Sequence, residues 1–319
     1  MENILFENSE VRMLVNAIFG NVIFSASSEN LKNKNLSSLN LLKDKAINNN
    51  SYPIFELDDY HKKWLLSLDR NPKKLIEWLG NNKYKLGIYH EKLWQFFLKN
   101  NGRTKLISNN LKVKDAKNDI GEFDLIYTDH SNKIFHLEIA NKYYLAINSD
   151  TKYWDNWVGP NKIDTLANKM HHTLNNQINL SDTTYGQEKI KTTLIKKNKI
   201  SLIDQTINKQ IQINGRLFYP GSNKKINYSV PDFINSKHNL GYWLTLREWE
   251  LKKNQSDLQY KIIKKPFWLD YTFHDKDFLS GKKNPIELNY NRPEMIFYFK
   301  KKENKKGTFL FVVPNNWAE

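Results

Sequence analysis

Two neighbouring segments near the middle of the chain constrain its fold more than any other feature. Residues 122–127 alternate acidic or exposed positions with large apolar ones, and residues 133–147 are rich in aromatic and β-branched side chains. Residues 129–132, with the sequence Asp-His-Ser-Asn, have the chemistry of a turn. The pattern predicts a β-hairpin whose two strands are residues 122–127 and 133–147.

The predicted hairpin carries acidic side chains on both strands. Because alternate residues of a strand share a face, Glu122 points with Asp124, and His136 and Glu138 point with Lys142. Carboxylate oxygens held in this way leave room for the waters that Mg²⁺ retains when it binds a protein. A lysine beside such a site can position an attacking water or stabilise a pentavalent phosphate. The hairpin therefore predicts a metal site at Asp124 and Glu138, with Lys142 as the catalytic ammonium group.

Three further side chains near this site are each open to two interpretations. Glu91, on the helix before the hairpin, is either a further acidic ligand or metal-orienting group, or an exposed helix residue. Glu122 is interpreted as a solvated charge at the strand edge rather than as a ligand. His136 is either a metal ligand or phosphate contact, or a structural histidine, and the structural interpretation is favoured.

A helix over residues 134–147 is the alternative to the second strand. Glu138 and Lys142 would then form a surface ion pair worth about 0.2–0.5 kcal/mol. The turn before this segment and its content of aromatic and β-branched residues favour the strand.

The rest of the chain contains helical patterns first and extended patterns later. The first eighty residues predict helices, including residues 10–19 and 73–79, and a further helix begins at Leu86. A helix is also predicted over residues 162–180, with these side chains directed inward: Ile163, Leu166, Met170, Leu174 and Ile178. Strands are predicted at residues 104–113 (irregular, or a strand pair), 209–219, 242–246, 295–300 and 308–313.

Three charged residues fall within the predicted helix of residues 162–180. Lys162, Asp164 and Lys169 are interpreted as solvated helix positions. Contact of one of the lysines with the backbone of a nucleic acid is the alternative.

The charge of the chain is strongly positive and unevenly distributed. The net charge is +15; residues 1–60 hold 5 Lys and Arg against 8 Asp and Glu, whereas the remainder holds 44 against 26. A basic surface attracts polyanions such as nucleic acid, or anionic lipid. Since Lys and Asn are both frequent, the nucleotide composition of the coding sequence is the alternative explanation.

Several classes of protein are disfavoured by the composition. The chain has no cysteine, which excludes disulfides and thiolate metal sites. Residues 13–25 are the best candidate for a membrane span, but they are too short and are interrupted by Asn16 and Asn21. Glu7 and Glu10 have the wrong charge for a secretory signal. We therefore expect a soluble cytoplasmic protein that does not bind to membranes.

The residues of the candidate site also carry a family resemblance. Leu86-Gly87 with Glu91, then residues 121–124 and 136–142, resemble a bacterial family known as domain of unknown function eighteen-fifty-three. The likeness extends over most of the chain, and it includes residues 158–161, the helix ending at Gln177, residues 215–217 and residues 241–243. That family in turn resembles the PD-(D/E)XK, or restriction-endonuclease-like, nuclease superfamily.

The resemblance implies a role for particular residues. Asp124 matches the first acidic metal ligand and Glu138 the second, the Ile139 carbonyl matches a further ligand, and Glu91 matches the helix acid. Gln177 matches a helix glutamine of some members. The superfamily places its lysine two residues after the second acid, where this chain has Ala140. The nearest lysine, Lys142, is displaced by roughly 6.5 Å, since a strand rises about 3.3 Å per residue.

These observations together predict an α/β protein with a restriction-endonuclease-like core, a mixed central sheet flanked by helices. Residues 1–82 are expected to be a helical N-terminal segment, residues 83–220 the nuclease-like core, and residues 221–319 an α+β extension packed on it. The predicted activity is Mg²⁺- or Mn²⁺-dependent hydrolysis of DNA, with RNA as the less favoured alternative substrate. The alternatives are a catalytically inactive nucleic-acid-binding module and a scaffold protein of the same fold. The oligomeric state is left open.

Overall fold

A mixed β-sheet flanked by helices forms the centre of the protein. The computed structural model describes residues 6–28, 52–81, 85–115, 118–221, 228–231, 233–254, 258–271, 291–300 and 307–319. In these residues the strands are β1 Val22–Ser27, β2 Thr104–Lys114, β3 Asp119–Asp129, β4 Ile134–Ala146, β5 Trp157–Val158, β6 Ile207–Pro220, β7 Leu240–Thr245, β8 Leu258–Ile262, β9 Glu294–Lys300 and β10 Thr308–Val313. The α-helices are α1 Ser9–Phe19, α2 Asp59–Arg70, α3 Lys73–Leu79, α4 Leu86–Asn100, α5 Leu166–Asn175, α6 Thr184–Lys196 and α7 Leu246–Lys253.

The described strands form one sheet with both parallel and antiparallel neighbours. The order is β2-β3-β4-β6-β7-β10-β9-β8, with β1 paired to β6 and β5 paired to β4. The pairs β4–β6, β6–β7 and β7–β10 are parallel, and the others are antiparallel. The mixed central sheet expected from the sequence is therefore confirmed. Since this one sheet takes strands from all three predicted segments, the segment boundaries stay a prediction.

The central hairpin is confirmed as β3 and β4. Its turn is stabilised by Asp129, whose Oδ1 accepts hydrogen bonds from the backbone N–H groups of Ser131 and Lys133, each at 2.9 Å. Asn132 adopts φ +63°, a conformation that asparagine tolerates better than most residues. Turn chemistry that can be read from the sequence thus places β3 beside β4.

The sheet is covered on both faces, and the two faces of β4 show this division. Leu137 and Ile139 point into a core that also contains Leu93 and Trp94 of α4. The even-numbered residues of β4 point the other way, toward α5, α6 and the 3₁₀ segment Gln177–Asp182 that joins these two helices. His136 and Glu138 belong to that second face, so both polar side chains are buried beneath helices.

The prediction that the first eighty residues are helical is wrong for residues 22–27. Helices α1, α2 and α3 are present, but β1 lies between α1 and α2 and pairs antiparallel with β6. Val22, Ile23 and Phe24 are all buried. A short apolar run of this kind has no periodicity that separates a strand from a helix, so pairing with a distant strand decides its conformation.

The helix predicted over residues 162–180 is shorter than expected. It begins at Leu166 because Thr165 caps it, with the Thr165 hydroxyl accepting a hydrogen bond from the Asn168 N–H at 3.0 Å. The residues before it form a turn closed by the Gly159 N–H, which donates to the Asp164 carbonyl at 2.7 Å. Ile163, predicted to point inward, lies in this turn and is 87% exposed. Helix α5 ends at Asn175, and the chain continues as the 3₁₀ segment.

The later strands agree with the predicted ones to within a few residues, and β2 is one strand with irregular pairing. Among the described residues, none of the helices combines the length and the hydropathy that crossing a bilayer requires.

Candidate active site

The strands β3 and β4 separate at the position of the two predicted acidic ligands. They pair antiparallel from Thr128 opposite Ile134 to Leu125 opposite Leu137. Beyond that pair, β3 continues along β2 while β4 continues along β6. The next residues on the two strands are Asp124 and Glu138, so the acids lie where the strands diverge. We call this place the fork.

The two acids hold the fork together through their side chains. The Asp124 carboxylate accepts a hydrogen bond from the Ile139 N–H at 3.0 Å. The Asp124 N–H in turn donates to Glu138 Oε1 at 3.4 Å. The two carboxyl groups lie close enough to share a proton. The structure therefore brings Asp124 and Glu138 together, as the hairpin pattern predicts.

Glu138 is held by side chains from two other elements. His136 Nε2 lies 2.7 Å from Glu138 Oε1, and His136 Nδ1 lies 3.1 Å from Ser181 Oγ. Gln177 Nε2 donates to Glu138 Oε2 at 2.8 Å. Gln177, which only the resemblance indicated, thus contacts the second acid directly.

His136 lies between Ser181 and Glu138 and orients the second acid. Burial lowers the pKa of His136 to about 3, so the ring is neutral and carries a single N–H. When Glu138 is ionised, Nε2 donates to it and Nδ1 accepts from the Ser181 hydroxyl. Ser181 is 3% exposed, and its hydroxyl is hydrogen-bonded to the His136 ring.

Glu91 and Glu122 lie together on the other side of Asp124. The Asn110 side chain donates to Glu91 Oε2 at 3.2 Å and to Glu122 Oε1 at 3.3 Å. Burial raises the pKa of Glu91, and the negative charges of Asp124 and Glu122 raise it further. Glu91 is therefore close enough to the first acid to act on it electrostatically, and its role as a ligand stays a prediction.

Both acids at the fork have a raised pKa. For Asp124 the main cause is burial, and the negative charge of Glu138 adds to it, while the hydrogen bond from Ile139 opposes the shift. For Glu138 the main cause is also burial, opposed by hydrogen bonds from Asp124. Two carboxyl groups in this position compete for a proton unless a cation neutralises them.

The donor set of the fork fits a small hard cation that keeps its waters. A carboxylate has about four lone-pair positions. Glu138 uses three for His136, Gln177 and the Asp124 N–H, whereas Asp124 uses one for the Ile139 N–H. Both acids thus retain acceptor capacity. In the described part of the chain no group of three or more His, Asp or Glu residues could hold a metal ion. Two carboxylates suit Mg²⁺, which is usually bound by one or two protein carboxylates together with water.

Lys142 and Lys169 are placed differently from the prediction. The Lys142 ammonium group is paired with Asp164, whose carboxylate also accepts from the Tyr144 hydroxyl at 3.0 Å. Lys169 Nζ instead donates to Gln177 Oε1 at 2.9 Å and lies within electrostatic range of both acids at the fork. The interpretation of Asp164 and Lys169 as solvated helix positions is wrong, since both are half-buried and Asp164 precedes the helix.

One sequence signal could have identified Lys169. Lys169, Thr173 and Gln177 are spaced four residues apart, which on a helix forms a single polar stripe. The Thr173 hydroxyl also donates to Gln177 Oε1, at 3.0 Å. The spacing of the stripe can be read from the sequence, but its contact with Glu138 depends on how the helix packs against β4.

Comparison with known proteins returned one family. A model of the family described as Domain of unknown function (DUF1853) matches residues 29–291, a span that includes Asp124, Glu138 and Gln177. No curated protein and no solved structure matches the chain.

Proposed function

This chain belongs to the DUF1853 family, and we propose that it is a metal-dependent phosphodiesterase of the PD-(D/E)XK kind that hydrolyses DNA, with RNA as the alternative substrate. One observation carries the proposal. The two acids that the resemblance assigns as first and second metal ligands meet at the fork, although 14 residues separate them in the sequence. A central mixed sheet flanked by helices is the fold that the same resemblance implies.

The acids of the fork would hold Mg²⁺ or Mn²⁺. Asp124 has the larger remaining acceptor capacity, and Glu138 has one free position on Oε2. The Ile139 carbonyl is the further ligand implied by the resemblance. Such an ion lowers the pKa of a bound water and neutralises charge that develops on a phosphate.

The residues around the acids restrict the positions that the carboxylates can take. Glu138 is held from one side by His136 and from the other by Gln177. Asp124 is held by the backbone of β4 through Ile139. Partners that orient metal ligands in this way typically change affinity or activity 10–100-fold when they are lost. A rigid, partly buried acid pair is therefore better suited to catalysis than two mobile surface carboxylates.

The charge of the protein favours a polyanionic substrate. The residues after position 60, which include the fork, hold 44 Lys and Arg against 26 Asp and Glu, a net charge of +18. Lysines bind phosphates largely without regard to sequence, and this binding weakens as salt concentration rises. Nucleic acid fits both this field and the chemistry of the acid pair.

The proposal is tested by metal-dependent cleavage. Labelled single-stranded DNA, double-stranded DNA and RNA are each incubated with the protein in Mg²⁺, in Mn²⁺ and in EDTA. We expect cleavage of at least one substrate that requires the metal and falls about a hundredfold or more in Asp124→Asn and Glu138→Gln. The matched control is Glu188→Gln, which changes an exposed acid on α6. If the two site variants cleave as fast as this control, the assignment of the site is wrong.

A nucleic-acid-binding module without activity is the second candidate. It is favoured by Ala140, which stands where the superfamily has its lysine, and by the pairing of Lys142 with Asp164. Calorimetric binding of Mg²⁺ that depends on Asp124 and Glu138, without cleavage of any substrate, would select this function over the first.

A further inference from the structure

We propose that Lys169 of α5 supplies the ammonium group that contacts the substrate phosphate at the fork, and that Gln177 positions it. This inference rests on the proposed function and names a residue for it that lies on a helix rather than on β4. It is carried by a continuous chain of contacts from the lysine to the second acid.

Gln177 connects Lys169 to Glu138 in a defined orientation. Its Nε2 donates to Glu138 Oε2 at 2.8 Å, and its Oε1 accepts from Lys169 Nζ at 2.9 Å. A lysine ammonium can only donate and an ionised carboxylate can only accept, so the side-chain amide cannot be reversed without losing both contacts. The Thr173 hydroxyl donates to the same Oε1. Gln177 therefore fixes the distance between the ammonium group and the acid pair.

The surroundings of Lys169 do not serve helix stability. The residue is half-buried in the first part of α5, close to the helix N-terminus, where a positive charge is unfavourable. Burial lowers its pKa, and the charges of Asp124 and Glu138 act in the opposite direction. Burial and the helix N-terminus both disfavour a positive charge at this position. The two acids at the fork favour it, so the fork and not the helix accounts for a lysine here.

Lys142 is less suited to the same role. It lies four residues beyond Glu138 on β4, a separation of roughly 13 Å at about 3.3 Å per residue. Its charge is already neutralised by Asp164, which is itself held by Tyr144. Lys142 would have to break this pair and fold back along the strand to reach a phosphate at the fork, whereas Lys169 is already bound to a residue that contacts Glu138.

The role that follows for Lys169 is electrostatic. The ammonium group keeps its protons, donates hydrogen bonds to a non-bridging phosphate oxygen, and stabilises the charge that accumulates there as the phosphodiester is attacked. Removal of one such donor typically lowers the rate constant 10²–10³-fold.

Two lysine variants and one control separate the assignments. Lys169→Met, Lys142→Met and the exposed control Lys191→Met are compared for kcat and KM on the substrate cleaved by the wild-type protein. We expect Lys169→Met to lower kcat about a hundredfold or more, Lys142→Met to lower it less than about tenfold, and Lys191→Met to leave it unchanged. Gln177→Leu should lower kcat with little change in KM, because the ammonium group is then present but unpositioned. A larger loss in Lys142→Met than in Lys169→Met overturns the inference and leaves the proposed function standing.

A second measurement applies even if the protein cleaves nothing. Calorimetric titration with Mg²⁺ alone should show at least about threefold tighter binding in Lys169→Met, because a positive charge beside the acids has been removed. Lys142→Met should bind Mg²⁺ as the wild type does, since Asp164 already neutralises its charge. If Lys169→Met and Lys142→Met bind Mg²⁺ with the same affinity, Lys169 lies outside the electrostatic range of the fork and the inference is rejected.

Discussion

Replacement of Asp124 by asparagine should make the metal-free protein more stable at neutral pH, although it removes a proposed catalytic group. Burial and the charge of Glu138 raise the pKa of Asp124 from its ordinary value of 3.8 to about 8. At a pH between these two values, the carboxyl group of residue 124 is ionised in the unfolded chain and protonated in the folded protein. Folding then takes up a proton, so the stability of the wild type falls as the pH rises through this window.

The size of the effect follows from the pH interval. Each unit within the window changes the free energy of unfolding by about 1.4 kcal/mol for one such group. From pH 5 to pH 7 the wild type should therefore lose up to about 3 kcal/mol relative to Asp124→Asn. The asparagine side chain can still accept the hydrogen bond from the Ile139 N–H, so the contact between residue 124 and β4 is kept.

Urea denaturation in EDTA, followed by tryptophan fluorescence at pH 5, 6, 7 and 8, measures this difference. The exposed acid Asp204 provides the matched control, and Asp204→Asn should keep the pH dependence of the wild type. Adding Mg²⁺ should stabilise the wild type more at pH 8 than at pH 6 and should stabilise Asp124→Asn much less. Equal pH slopes for the wild type and Asp124→Asn would falsify the conclusion that the two acids share a buried, unneutralised site.

Four further substitutions test the contacts around the fork and the fold that supports it. His136→Phe removes the hydrogen bond to Glu138 and should weaken Mg²⁺ binding about 10–100-fold in a calorimetric titration; affinity equal to the wild type would mean that Glu138 needs no support from this side. Ile163→Asn should change the free energy of unfolding by no more than about 0.5 kcal/mol, because the side chain is 87% exposed. Met170→Ala, on the same predicted face, should lower it by about 2–5 kcal/mol because Met170 is buried. Similar losses for the two variants in urea titrations would mean that Ile163 is buried on a longer helix. Gly215→Ala should destabilise the protein by at least about 3 kcal/mol, since φ is +125° and an added Cβ would lie 1.7 Å from a carbonyl oxygen of β4; an unchanged melting temperature would contradict this packing.

The sequence alone determined the hairpin and the place of the two acids on it. Alternation in residues 122–127, a turn at residues 129–132 and the β-branched run after it are local signals. They act between residues close in the chain, and the resulting hairpin places Asp124 and Glu138 directly after the last pair, Leu125 opposite Leu137. The helix over residues 10–19 and the helix over residues 73–79 could be predicted for the same reason, because capping and helical spacing are also local.

Only the tertiary structure decided which charged groups complete the fork. The conformation of residues 22–27 depends on β6, nearly two hundred residues later, and no local pattern reports such pairing. The start of α5 likewise depends on a turn that competes with a longer helix, and Asp164 lies in this turn rather than on the helix. As a result Asp164 binds Lys142, while Lys169 reaches Glu138 through Gln177. Local periodicity places a side chain on a face of its own element, but the partner across the interface is chosen by the packing of the whole fold.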